Sequence, residues 1–195
     1  AGHPEGTDWR VSRFAIVNEA GRIDANGSWH LIGRQQVSRF DVAVDVKDAP
    51  GFLARMGLPD DVKGAATRIE GQLAWPGSPT DFEFALLSGT LRVQSAAGQF
   101  TKMDPGVGRL LGVLSLQALP RRITLDFRDV FSEGFVFDSM AGNVSIARGV
   151  MHTDDLTLAG PAAKVRLAGD VALARETQAL TVRVQPSLST AVSTG

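Results

Sequence analysis

Apolar and polar residues alternate with a period of two along most of this chain, and this limits its folds more than any other feature. In Phe40-Asp41-Val42-Ala43-Val44-Asp45-Val46-Lys47 the even positions are apolar and the odd ones charged or small. A strand sends these two sets to opposite faces. The pattern returns over Thr67–Trp75, where Ile69, Leu73 and Trp75 oppose Arg68, Glu70 and Gln72. It returns again at Leu91/Val93, Ile123/Leu125/Phe127, Val144/Ile146, Leu156/Leu158, Val165/Leu167, Val171/Leu173 and Leu180/Val182/Val184. One apolar and one polar face is the signature of an antiparallel sheet with a single wet side.

Turn chemistry separates these runs. Ala25-Asn26-Gly27, Ser88-Gly89, Ser132-Glu133-Gly134, Ala141-Gly142-Asn143, Arg148-Gly149, Gly160-Pro161 and Ala168-Gly169-Asp170 all read as reversals. The spacing predicts about a dozen strands, one per 8 to 12 residues. Two stretches break the rhythm. Near 50–56, Pro50 suits the first turn of a short helix and Gly57 its end. Over 105–118, Asp104 caps, Pro105 opens and Pro120 closes a longer one, with Val107, Leu110, Leu111 and Leu114 on one stripe. Both open with Pro-Gly after a strand, a weak internal repeat.

Composition narrows the function classes. With 20 Lys plus Arg against 21 Asp plus Glu, net charge is −1, and no field points to nucleic acid. The absence of cysteine removes disulfides, zinc–thiolate sites and thiol nucleophiles together. No apolar run reaches the roughly 20 residues of a membrane span. The polar start carries no signal-peptide pattern, and the chain reads as an excised piece of a larger protein.

Candidate chemical motifs weigh poorly. Gly106-Val-Gly108-Arg-Leu-Leu-Gly112, with Asp126 further on, echoes a dinucleotide fingerprint, but its last glycine is one position late and no buried strand precedes it. His3, His30 and His152 share no ligand spacing, and His30 and His152 read as ordinary strand-edge residues. The pairs Asp60-Asp61 and Asp154-Asp155 point to opposite faces and read as turn flanks. Asp126 and Asp129 near Arg121, Arg122 and Arg128 read as a solvated salt-bridge cluster. Phe127, Phe131, Phe135 and Phe137 read as a core cluster, with a greasy acyl-chain surface as the rival. No catalytic residue, cofactor or metal is predicted.

The stretch from Asp104 to Asp138 (DPGVGRLLGVLSLQALPRRITLDFRDVFSEGFVFD) resembles the C-terminal region of the YhdP family, within the AsmA-like superfamily. Gly149–Asp155 and Gly160–Arg175 are similar too, and Gly27-Ser-Trp29 and Gly71–Gly77 fit less specifically. The likeness covers about 20–188, leaving 1–20 as the end of a preceding repeat within one fragment. The resemblance implies a large Gram-negative protein, periplasmic and anchored in the inner membrane. Such proteins are viewed as bridge-like carriers in which a long curved sheet forms an open apolar groove for phospholipids. A lipid tail exposed to water loses ~0.8 kcal/mol per CH₂, a cost that a sheltering face lowers without any chemistry.

The expected fold is thus mainly β: a long curved antiparallel sheet forming an open apolar groove, with two short helices. The face-defining candidates are Phe40, Val42, Val44, Val46, Leu91, Val93, Ile123, Leu125, Phe127, Val165, Leu167, Val171, Leu173, Leu180, Val182 and Val184. Two other classes stay open. One is a non-catalytic scaffold binding an inner- or outer-membrane protein through sheet edges or the 105–118 helix. The other is an enzyme working through Asp126 or His152.

Overall fold

The computed structural model describes residues 2–5, 8–32, 35–55, 62–101, 134–175 and 177–187. The helix expected over 105–118, the salt-bridge cluster expected around Asp126, and Ile123, Leu125, Phe127, Phe131 and Asp60-Asp61 lie outside the described residues.

Ten strands form one antiparallel sheet in the order β1 (Gly2–Glu5), β2 (Asp8–Asn18), β3 (Gly21–Ile32), β4 (Gln35–Val46), β6 (Thr67–Pro76), β7 (Ser88–Ser95), β10 (Ser139–Ala147), β11 (Val150–Ala159), β12 (Ala163–Ala172) and β13 (Thr177–Pro186). The sheet is open: β1 and β13 are its two edges. A second sheet has three short strands, β5 (Val62–Gly64), β8 (Gly98–Phe100) and β9 (Phe135–Phe137). Helix α1 (Ala49–Arg55) falls where Pro50 predicted it, and Phe52 NH donates to Asp48 O at 3.0 Å in its first turn.

Local chemistry explains the hairpins. Arg148 and Gly149 join β10 to β11 with φ of 46° and 74°, the left-handed pair that a two-residue turn matched to strand twist requires. Between β2 and β3 the Asn18 carboxamide oxygen accepts from the amides of Ala20 and Gly21, at 2.9 and 3.0 Å.

Several expected reversals are instead strand interiors. Ala25-Asn26-Gly27 lies within β3, Ala141-Gly142-Asn143 within β10 and Ala168-Gly169-Asp170 within β12, while Ser88-Gly89 opens β7. Asp154-Asp155 sits inside β11, at a register shift between Thr153 and Leu156, rather than beside a turn. The glycines have a different reason to be there. A side chain on Gly71 would run into the carbonyl oxygen of Thr90 and lie 2.9 Å from Leu91 Cα. Strands this close leave no space for a Cβ. Gly71→Ala is therefore expected to destabilise by about 1–3 kcal/mol, as a small-to-large change in a packed site does. Urea denaturation measures it; an unchanged midpoint would show that the strands move apart freely.

The core has two parts on the apolar side. In the first, Phe135, Phe137 and Ala65 pack with α1 against Val46, Leu158, Ala163 and Val165, so the small sheet plugs one end of the large sheet's apolar face. Phe137 is fully buried. In the second, Leu87 closes onto Phe40, Trp75, Val144 and Ile146 at the opposite strand ends.

Candidate functional site: an apolar face between two rims

Cross-strand register turns the alternation into a surface. Residues paired across an antiparallel ladder share a face. Ile16 pairs with Ile23, Ile23 with Val44, Val44 with Ile69 and Ile69 with Val93. Val93 pairs with Gly142, which lies against Leu156; Leu156 pairs with Leu167 and Leu167 with Val182. This aliphatic row crosses nine strands without a charged residue, roughly 38 Å at the usual ~4.8 Å strand spacing. A parallel row runs Val11, Gly27, Phe40, Leu73, Gly89, Ile146, Met151 and Val171.

Every described face-defining candidate lies on this side. Phe40, Val42, Val44 and Val46 come from β4, Leu91 and Val93 from β7, and Val165, Leu167 and Val171 from β12; Leu180, Val182 and Val184 come from β13. Leu173 sits just past β12 and packs on the second core part. The group divides by environment. Val46 and Val165 are buried under the plug, with Val44, Leu167, Val182 and Val184 packed against it. Val42, Leu91 and Val93 are half-buried around the second core part. Further along, at β2, Phe14 and Ile16 are 50% and 46% exposed. Ile23, Ile69, Leu73 and Val144 belong to the same surface; the last three stand in the alternating runs of the sequence but outside the face-defining candidates, and Ile23 stands in neither. Strand β2 was missed because a register shift between Val11 and Phe14 interrupts its alternation.

Polar groups on this face are satisfied. Ser38 Oγ donates to Gly77 O at 2.9 Å, Thr153 Oγ1 to Asn143 O at 2.8 Å and Thr67 Oγ1 to Ala65 O at 2.6 Å. Among the described residues no buried side-chain polar atom lacks a partner. Such a face can offer dispersion contact and exclusion of water.

The opposite face carries the charges. Arg68 bridges Asp45 and Glu70, and Arg22 binds Asp24. A cavity of about 620 Å³ opens there, lined by Glu70, Arg92, Asn143, His152, Asp154 and Asp155 among others. His152 lies on the interior strand β11 and His30 on the interior strand β3, neither at a sheet edge. Ser145 is the cross-strand neighbour of His152. Yet His152 Nδ1 is 2.7 Å from Asp170 and Nε2 is 3.1 Å from Asp154. Both ring nitrogens face carboxylates, so neither is free to take a proton from a serine. Among the described residues no His, Asp and Glu group could hold a metal, and no helix is long and apolar enough to cross a membrane.

The hydrogen bonds to Asp170, then to Asp154, raise the His152 pKa above its ordinary value. The charged imidazole is thus favoured in the folded chain. Its contribution to stability is full below the unfolded pKa of ~6.5 and fades as pH rises through the raised folded value. The wild type is expected to lose a small increment of stability across that window, and His152→Gln to lose none. Unfolding midpoints compared at mildly acidic and mildly alkaline pH read the difference; parallel pH profiles would remove His152 from the ledger.

No solved structure matches the chain. It is similar to the intermembrane phospholipid transporter YhdP of Escherichia coli (strain K12), 31% identical over 181 residues. That alignment covers 88% of this chain and 14% of the relative, so the chain corresponds to a small part of that protein's length. The family profile described as YhdP protein matches residues 1–194. With nearly its whole length matched, the chain belongs to the YhdP family.

Proposed function

We propose that this chain is a segment of a periplasmic bridge-like protein that shelters phospholipid acyl chains on its apolar face during passive transfer between the inner and outer membranes. The inner-membrane anchor belongs to the longer protein in this reading. The similarity to an intermembrane phospholipid transporter supports the ligand class. The observation that carries the reading is the aliphatic row crossing nine strands, uncharged throughout and half-buried or exposed from Ile16 to Val93.

A face of this kind lowers the transfer barrier by replacing lost tail contacts. One long acyl chain leaving a bilayer exposes CH₂ groups at ~0.8 kcal/mol each, a barrier on the order of 10 kcal/mol for the whole chain. Contacts with Val42, Leu91 and Val93 are non-directional, so a tail can slide from strand to strand with its shelter continuous. No catalytic group, cofactor or metal takes part, and headgroups stay in water.

Native mass spectrometry of the gently purified chain, with lipid extraction from the same sample, tests the proposal. Phospholipid in discrete stoichiometry is the expected result. A lipid-free monodisperse chain would mean the face is self-filled, and a protein partner at the β13 edge, unpaired among the described residues, would then explain the domain better.

A further inference from the structure

The two rims of the apolar face differ in chemistry. One is closed by the plug, where Phe135 and Phe137 are buried. The other gathers the chain's three tryptophans, which lie far apart in sequence. Trp9 stacks on Trp29 with centroids 5.2 Å apart and planes 3° apart. Trp29 pairs across the ladder with Ser38, and Ser38 with Trp75, so all three sit in one cross-strand row at the strand ends. Trp75 stacks on Phe40 at 5.5 Å and meets Phe82 edge-on at 5.3 Å, and Phe82 meets Phe84 at 5.1 Å.

Trp75 and Phe40 are buried in the second core part, and the rings flanking them stay partly open. Trp9, Phe82 and Phe84 are 42%, 39% and 58% exposed. Trp75 Nε1 donates to Ser78 O at 3.0 Å, giving the ring an apolar body with a satisfied polar edge. Past Phe84 the same rim carries the β10–β11 and β12–β13 turns. There Arg148 and Arg175 line a cavity of about 230 Å³ with Ala85 and Gly149. Both arginines are exposed, and neither is in an ion pair among the described residues.

Aromatic rings beside water, with cations just beyond them, match the polarity step of a phospholipid: tail, glycerol ester, phosphate. We propose that this rim holds the glycerol–phosphate end of phospholipids whose tails lie on the apolar face, with the aromatic rings level with the ester groups and Arg148 and Arg175 facing the phosphate. The inference rests on the groove reading and gives it an orientation. Tails run along the strands with their methyl ends toward the plug, and headgroups leave by the aromatic rim.

Because every tryptophan lies at this rim, intrinsic fluorescence reports on it alone. The test loads the 195-residue chain with phosphatidylglycerol brominated near the carboxyl end or near the methyl end of its chains. Stronger quenching by the carboxyl-end label is expected. Equal or stronger quenching by the methyl-end label, or bound lipid with no quenching, overturns the orientation and leaves the groove reading standing. No bound lipid at all overturns both. In the second arm, Arg148→Glu with Arg175→Glu is expected to weaken phosphatidylglycerol binding about tenfold, from two reversed charges near the phosphate. Lys164→Glu with Arg183→Glu makes the same change in net charge away from the rim and is expected to leave binding unchanged. Equal losses from both pairs overturn the arginine assignment.

Discussion

Replacing Phe137 by alanine is expected to destabilise the chain by about 3–5 kcal/mol, the cost of removing a buried aromatic ring and leaving a cavity. Phe137 is fully buried, and its ring lies 5.4 Å from that of Phe100. It belongs to β9, a strand of three residues held to the rest of the plug by a short ladder with β8. So small a sheet has little backbone pairing of its own and depends on side chains packed against Val46, Leu158 and Val165. A loss of this size is a large fraction of the 5–15 kcal/mol that holds a typical domain together. Phe84→Ala is the contrast. Phe84 is 58% exposed, and its removal is expected to change stability by no more than about 0.5 kcal/mol. Urea denaturation followed by circular dichroism compares the two. Similar small losses at both sites would show that the plug does not secure this end of the sheet.

Phe135 and Phe137 read as core residues in sequence and are buried, but the plug's strands were hidden, and their construction explains why. Strands β5, β8 and β9 have three residues each, too few for a period to appear. Their pairing joins Val62 to Phe100 and Phe100 to Phe135, which no local pattern announces. The large sheet was legible because Phe40 to Lys47 and Thr67 to Trp75 each carry an unbroken alternation. Strands β3 and β12 were nonetheless cut short in the reading. Asn26-Gly27 and Gly169-Asp170 have the composition of turns, yet both lie inside strands. Turn chemistry and close strand approach both select glycine, and only the register separates them. The apolar face was legible residue by residue and not as a surface. Val44, Val93 and Leu167 are recognisable as face residues in sequence, but their union into one row is a property of the ladders.

Leu91→Asp is expected to abolish lipid binding by the chain, while Leu91→Met is expected to preserve it. Leu91 stands in the middle of the face on β7, paired with Gly71 on one side and Val144 on the other. The two glycines nearby in the ladders, Gly71 and Gly89, add no side chains, so Leu91 supplies much of the local apolar surface. A carboxylate there must either keep its water, breaking the dry path, or lose it at a cost of several kcal/mol. Either outcome raises the barrier for a tail passing this strand. Methionine keeps the volume and adds flexibility without charge, so sliding contacts survive. Lipid extraction after purification reads occupancy, and unfolding midpoints confirm that both variants are folded. Val42→Asp, on β4 and across Gly71 from Leu91, provides a second site in the same row and is expected to act in the same way. Equal lipid content in the aspartate and methionine variants would sink the sheltering role. Loss in both aspartate variants alone would show that continuity of the apolar face, rather than any single side chain, carries the lipid. A binding pocket is lost when its one key contact is lost, whereas a path is lost wherever it is cut.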